Sequence, residues 1–355
     1  MDSIGTIVHN QRPILMSQPP NSPASLRQGL GLSALIWCAI VLAVLLCVGR
    51  VPAFAMQVLE LRGPYSFVVD PTSKEYFISS INGDEDARDN NGFITKVDES
   101  GKVLHLKFIE GGRDGVTLHA PRGLAIVGQT LYVADLDHVR GFDKSTGKLL
   151  ATLPLGSGAI PQAGYSSQLM DIAYDGQDLL YVSDRTGQAI FRIDVAHNHH
   201  ISTLVRDPEL AGPAGLVVHP KGDRLVVVSW DKGKIIEVRL DGTFTELMSN
   251  GFFSARFGNL SGVDFDRWGN MYVSDFTRGK IWRMGPDRKL QVIAEYLPSP
   301  ADIAIDRTNH VILVPYHYGD AAEVNGLESP VKSPDKRRTL ADYGFTGPPK
   351  EAPPK

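Results

Sequence analysis

L-Y-V-A-D (Leu131 to Asp135), L-Y-V-S-D (Leu180 to Asp184) and M-Y-V-S-D (Met271 to Asp275) are one short phrase written three times. Looser copies are E-Y-F-I-S-S (Glu75 to Ser80), L-V-V-V-S-W (Leu225 to Trp230) and V-I-L-V-P-Y (Val311 to Tyr316). The last residues of the six copies are separated by 55, 49, 46, 45 and 41 positions. Spacing in this range marks a repeat architecture, so the fold is read from the repeat before any single residue.

Each unit has the same parts. A small-residue turn leads into an apolar run, as in P-R-G-L-A-I-V (Pro121 to Val127) or L-S-G-V-D-F-D (Leu260 to Asp266). The marker phrase follows, then a third run such as Q-A-I-F-R-I-D (Gln188 to Asp194), then a fourth such as T-F-T-E-L-M (Thr243 to Met248). Short stretches rich in Val, Ile, Tyr and Phe, bounded by Gly, Asp, Asn and Pro, are strands joined by tight turns. No long 3.6-residue apolar period occurs after residue 56. The expected fold is all-β: a six-bladed β-propeller with four-stranded blades over residues 56–328. Those 273 residues divided by six give 45.5 per blade. A ring must also hide its chain ends, because an unpaired strand edge invites association. M-Q-V-L-E-L (Met56 to Leu61) reads as a fourth strand lacking its first three, and the sixth unit lacks a good fourth. Residues 56–61 are therefore expected to complete the last blade.

The chain ends carry different information. Residues 1–28 are a polar segment, and residues 29–49 are uncharged and long enough to span a bilayer as a helix. A-F-A (Ala53 to Ala55) lies at a sensible distance for signal cleavage before Met56. Residues 29–55 therefore read as a signal-peptide core or as a single transmembrane anchor. The expected location is periplasmic or extracellular, or membrane-anchored through residues 29–49 if they are not cleaved. Both cysteines, Cys38 and Cys47, fall in this apolar segment, which leaves no disulfide framework in the repeat domain. Residues 329–355 form a Pro- and Lys-rich tail that reads as disordered.

Removal of residues 1–55 leaves 33 basic and 39 acidic residues, a formal charge of −6. With no basic stripe, nucleic acid is not an expected partner. The expected partner is a small-molecule ligand or an envelope protein. In a ring of this kind the leading ends of the innermost strands and the turns after the second strands meet on one face, around a central channel. That mouth is expected to gather Tyr65, Arg122, Met170, Ala214, Ser261, Trp230 and Tyr316 as ligand-binding residues, with Asp171, Asp302 and His317 as candidate bases. For Asp171 and Asp302 a second reading stays open, in which they bond backbone amides of neighbouring blades. The acidic loop G-D-E-D-A-R-D-N-N-G (Gly83 to Gly92) reads as a solvated hairpin, with independent calcium binding as the rival.

On G-P-x-S (Gly63 to Ser66), the run from Asn91 to Val103, A-P-R-G-L-A-I-V (Ala120 to Val127), G-P-A-G-L (Gly212 to Leu216), G-N-L-S-G (Gly258 to Gly262) and P-A-D-I (Pro300 to Ile303), the chain resembles the gluconolactonase and senescence-marker-protein family. These are six-bladed propellers related to NHL-repeat proteins. The resemblance implies a lactone-opening hydrolase that holds a divalent cation, commonly calcium, with one Glu, two Asn and one Asp. Position by position, those ligands correspond here to Tyr65, Met170, Ala214 and Ser261. None suits calcium, which takes six to eight hard oxygen donors. No metal or other cofactor is therefore expected, with calcium returning only if the protein is a hydrolase after all. The function expected is an exported propeller that binds a ligand or partner at its channel mouth. The alternative is a lactone or ester hydrolase working with a rearranged site.

Overall fold

The computed structural model describes residues 56–155, 167–251 and 255–327. Residues 1–55 and 328–355, which carry the apolar segment and the tail, lie outside the described residues. Among the described residues no helix is long and apolar enough to cross a membrane.

Among the described residues twenty-four strands form six four-stranded antiparallel sheets. Blade 1 contains β2 (Pro64–Asp70), β3 (Glu75–Ser80), β4 (Phe93–Asp98) and β5 (Val103–Glu110). Blades 2 to 5 follow in the same sequential order as β6–β9 (within 121–154), β10–β13 (within 169–206), β14–β17 (within 213–248) and β18–β21 (within 260–294). Blade 6 breaks that order: β22 (Ala304–Asp306), β23 (Val311–Tyr316) and β24 (Ala321–Gly326) take their outer partner from β1 (Met56–Val58). Met56 pairs with Val324 and Val58 with Ala322. The chain is a closed six-bladed β-propeller. The closing strand is shorter than its sequence suggests, because Glu60 turns to a positive φ of 65° and ends the pairing.

The marker phrase is the second strand of every blade, and its burial explains its composition. Among the described residues six apolar clusters fill the wedges between successive blades. A second strand sits between two wedges and is apolar on both faces. In L-Y-V-S-D, Leu180 and Val182 face blade 2 while Tyr181 faces blade 4. The same division holds for Leu131, Val133 and Tyr132, and for Met271, Val273 and Tyr272. This is why the phrase shows no polar alternation.

The terminal Asp of the phrase fastens each blade to its own leading turn. Asp135 accepts from the amides of His119 and Ala120, Asp184 from Gln168, and Asp275 from Gly258. The preceding serine works between blades. Ser79 (β3), Ser183 (β11, Leu179–Asp184) and Ser274 (β19, Met271–Asp275) each accept a backbone N–H from their own blade's innermost strand. Each then donates to a carbonyl of the next blade: Arg122, Ala214 and Ala301.

Truncation of one wedge residue tests this packing. Phe191 of β12 (Ala189–Asp194) is fully buried between blades 2 and 3. Phe191→Ala is expected to lower stability by about 3–5 kcal/mol in a urea titration. A loss under 1 kcal/mol would mean that the wedge is not close-packed.

Candidate functional site

The channel is built from one repeated backbone irregularity. In blades 1 to 5 the pairing of the first and second strands slips by a bulge, at residues 65–66, 122–123, 170–171, 214–215 and 261–262. A bulge re-aims side chains that regular pleating would place in the wedges. In blade 6 the equivalent residues are Ala301 and Asp302, ahead of β22. There Pro300 bridges to Tyr316, and Asp302 bridges to Ser66 of blade 1. The Asp302 N–H donates to the Tyr65 carbonyl at 2.8 Å, so the ring is fastened at its hub as well as at its rim.

The first residue of each bulge enters a seventh cluster on the axis, or lies against it. Tyr65, Met170, Ala214 and Ala301 pack there with Ile81, Ala120, Leu136 and Phe276, and half-buried Trp230 lies alongside. Arg122 places its guanidinium 5.9 Å from the Tyr65 ring centre, and Ser261 lies beside the Tyr65 hydroxyl. Burial holds the Tyr65 phenol far above its usual range, with Arg122 pulling weakly the other way. The structure therefore brings together Tyr65, Arg122, Met170, Ala214 and Ser261. It does not bring Tyr316 to them: that ring lies in the wedge between blades 5 and 6, and its hydroxyl donates to Glu323 at 2.8 Å.

The mouth above this layer is covered. The loop after β3 reaches over it, with Gly83, Asp84, Asp86, Arg88 and Asp89 still exposed to solvent. The Glu85 carbonyl accepts from Arg122 Nη2 at 2.6 Å, and the Glu85 carboxylate lies 3.2 Å from His317 Nε2. Asp86 accepts from Gln168 of blade 3 at 2.7 Å, and Arg88 pairs with Asp137 of blade 2 at 2.6 Å. The loop is a strap tied to blades 2, 3 and 6. Sequence reading missed Glu85, yet one signal was present: the interval of 55 after Ser80 is the widest in the repeat. The hydrogen bond from His317 keeps Glu85 ionised below the usual carboxylate range, despite partial burial.

Beneath the axial layer, Asp171 and Asp302 come from opposite blades and meet across the channel. Gly123 and Gly262 make room for them. A Cβ on Gly123 would lie 2.3 Å from Asp171 Cα, and one on Gly262 would lie 2.8 Å from Asp302 Oδ1. Asp171 accepts from the amides of Ile172 and of Leu216 in blade 4. Asp302 accepts from the Ser66 hydroxyl of blade 1 at 2.7 Å. Burial pushes the Asp171 carboxyl up to about 6. Burial, then the Asp171 charge, raises Asp302 well above its ordinary value. One proton shared between the two acids satisfies both. The pair lies in the lining of a cavity of about 440 Å³ formed by the far ends of the innermost strands. Leu124, Ile172, Leu216 and Val263 line its walls, with the ion pairs Lys144–Asp70 and Arg307–Asp264.

No protein-family model and no curated protein matches the chain. Solved structures do. Virginiamycin B lyase from Staphylococcus aureus superposes with a TM-score of 0.54 at 15% identity, covering 77% of this chain and 99% of that one. A catalytically inactive form of a virginiamycin B lyase from the same organism, solved with quinupristin, gives 0.52 at 17% identity over the same shares. A streptogramin B lyase gives 0.52 at 12%, over 77% of this chain and 97% of that one. The likeness is one of fold. Identity this low carries the propeller architecture and leaves the chemistry to the residues in the site.

The donor set does not fit a calcium ion. At the axial layer stand a phenol, a thioether, a methyl group and a hydroxyl, with a buried guanidinium among them. Among the described residues no group of three or more His, Cys, Asp or Glu side chains is arranged to hold a metal.

Proposed function

We propose that the chain is an exported propeller that binds a small ligand in its axial channel, at the layer of Tyr65, Arg122 and Ser261 beneath the strap. One observation carries the reading. Arg122 Nε and Nη1 are buried and lack hydrogen-bond partners, beside the Tyr65 and Ser261 hydroxyls, which have only each other to turn to. Unpaired buried polar groups are costly, and they are kept where a ligand or ordered water completes them. The test is a thermal-shift screen of the full chain against small polar molecules, with metal analysis alongside. A saturable rise in Tm without stoichiometric calcium is expected. A protein that responds to no small molecule and co-purifies with envelope proteins would be a scaffold instead.

A second reading is favoured by the acid pair. A carboxyl with its pKa near 6 beside a cavity is suited to general base work, so hydrolysis of a lactone or related ester through Asp171 and Asp302 is the alternative. The amides and hydroxyl already bonded to both acids favour their role as fasteners between blades. Turnover of a lactone that is abolished by Asp302→Asn, with the fold retained, would establish the hydrolase.

A further inference from the structure

We propose that the axial site takes a compact monocarboxylate with a short apolar body, and that Glu85 of the strap holds the site closed until such a ligand displaces it. This rests on the small-ligand reading above and names the ligand's chemistry.

Charge sets the class. Arg122 is fully buried, and Asp86, the acid within ion-pair distance of it, belongs to the strap, while Asp171 and Asp302 lie in the layer beneath. Asp86 approaches Arg122 Nη2 to 3.7 Å but is largely exposed and already accepts from Gln168. Glu85 gives Arg122 only its carbonyl and spends its carboxylate on His317. When the strap lifts, the buried Arg122 is left without an anion beside two neutral hydroxyls, and His317 loses the Glu85 carboxylate as well. A buried charge needs a partner. A single negative charge on two oxygens, with Arg as one partner and hydroxyls as the others, matches that set. A dianion would bring a second charge to a layer where, among the described residues, Arg122 is the permanent cation and His317 is charged only when protonated. The remaining walls are Met170, Ala214, Ala301, Ile81 and Leu136, which suit a short hydrocarbon body.

Glu85 is itself the competitor. It places one carbonyl on Arg122 and one carboxylate on His317, so the strap occupies part of the donor set with chemistry like the ligand's. Weakening that hold favours the open form and raises apparent affinity without touching the ligand's own contacts.

The experiment is titration calorimetry and thermal shift on the full chain with sodium propionate and sodium butyrate. Propionamide, sodium chloride, sodium phosphate and glycerol serve as controls at matched ionic strength. Saturable stabilisation by the carboxylates is expected, and none by propionamide or chloride. Arg122→Gln is expected to lose affinity by roughly 10- to 100-fold. Glu85→Gln, which leaves Arg122 in place, is expected to bind several-fold more tightly and keeps the test alive if Arg122→Gln does not fold. Equal responses to propionate and propionamide, or unchanged affinity in both variants, would overturn the proposal. A response to glycerol alone would discard the carboxylate while sparing the small-ligand reading. Silence across the whole panel would discard both.

Discussion

Deleting residues 56–61 from the chain is expected to destroy the propeller as a stable monomer. The deletion removes the fourth strand of blade 6 and exposes the edge of β24 (Ala321–Gly326) at Ala322, Glu323 and Val324. It also takes Val58 and Leu61, both buried, from the wedge between blades 6 and 1. Each such side chain contributes roughly 1.5–3 kcal/mol, and the cavity left behind adds to the loss. Against a whole-domain stability of about 5–15 kcal/mol, that loss is a large share. The exposed edge then offers β24 to another chain. Urea titration and size-exclusion chromatography of the deletion variant should show a lower midpoint and soluble or insoluble oligomers. Leu59→Ala, at an exposed position of the same segment, should change neither. A deletion variant that stays monomeric with an unchanged midpoint would show that the ring does not depend on this strand.

Asp302→Asn is expected to stabilise the protein at pH 8 and to flatten its pH profile. Asp171 in the folded chain holds its proton up to about pH 6, and Asp302 also titrates above its ordinary value of 3.8. Between pH 4 and 6 the unfolded chain has already released these protons while the folded chain keeps them. Stability therefore falls as pH rises through that window, and the penalty persists above it. For a rise from 3.8 to about 6 the penalty is on the order of 3 kcal/mol. An amide at 302 removes one of the two charges and still accepts from the Ser66 hydroxyl. Carboxyls such as Asp70 and Glu85, held below their usual range, act in the opposite sense and lose their contribution as pH falls below about 4. A stability maximum near pH 4 follows from these groups for the unaltered protein. Thermal unfolding of both proteins from pH 4 to 8 checks the point; an Asn variant less stable than its parent at pH 8 would refute it.

The two predictions concern features of unequal visibility in the sequence. Strand closure was legible because it follows from counting: six marker phrases, five intervals and one orphan strand at Met56 leave few ways to finish a ring. The glycines and acids at the bulges were legible as residues, but their pairing was not. Asp171 and Asp302 are 131 positions apart, and only sixfold geometry sets blades 3 and 6 opposite each other. Tyr316 shows the converse. It ends a marker phrase as Asp135 and Asp275 do, yet with Pro315 before it and no bulged partner it turns into a wedge. Most of the gluconolactonase-like motifs mark blade starts, and the solved structures that superpose at 12–15% identity share the propeller fold.

Composition and periodicity alone determined that this chain is all-β, repeats six times and seals itself with its leading strand, because each of those properties is local and is repeated along the chain. The strap over the mouth, the partly satisfied Arg122 guanidinium and the meeting of Asp171 with Asp302 were decided only by the tertiary structure. They depend on side chains from different blades meeting at one axis, and no local pattern encodes how far apart those side chains end up.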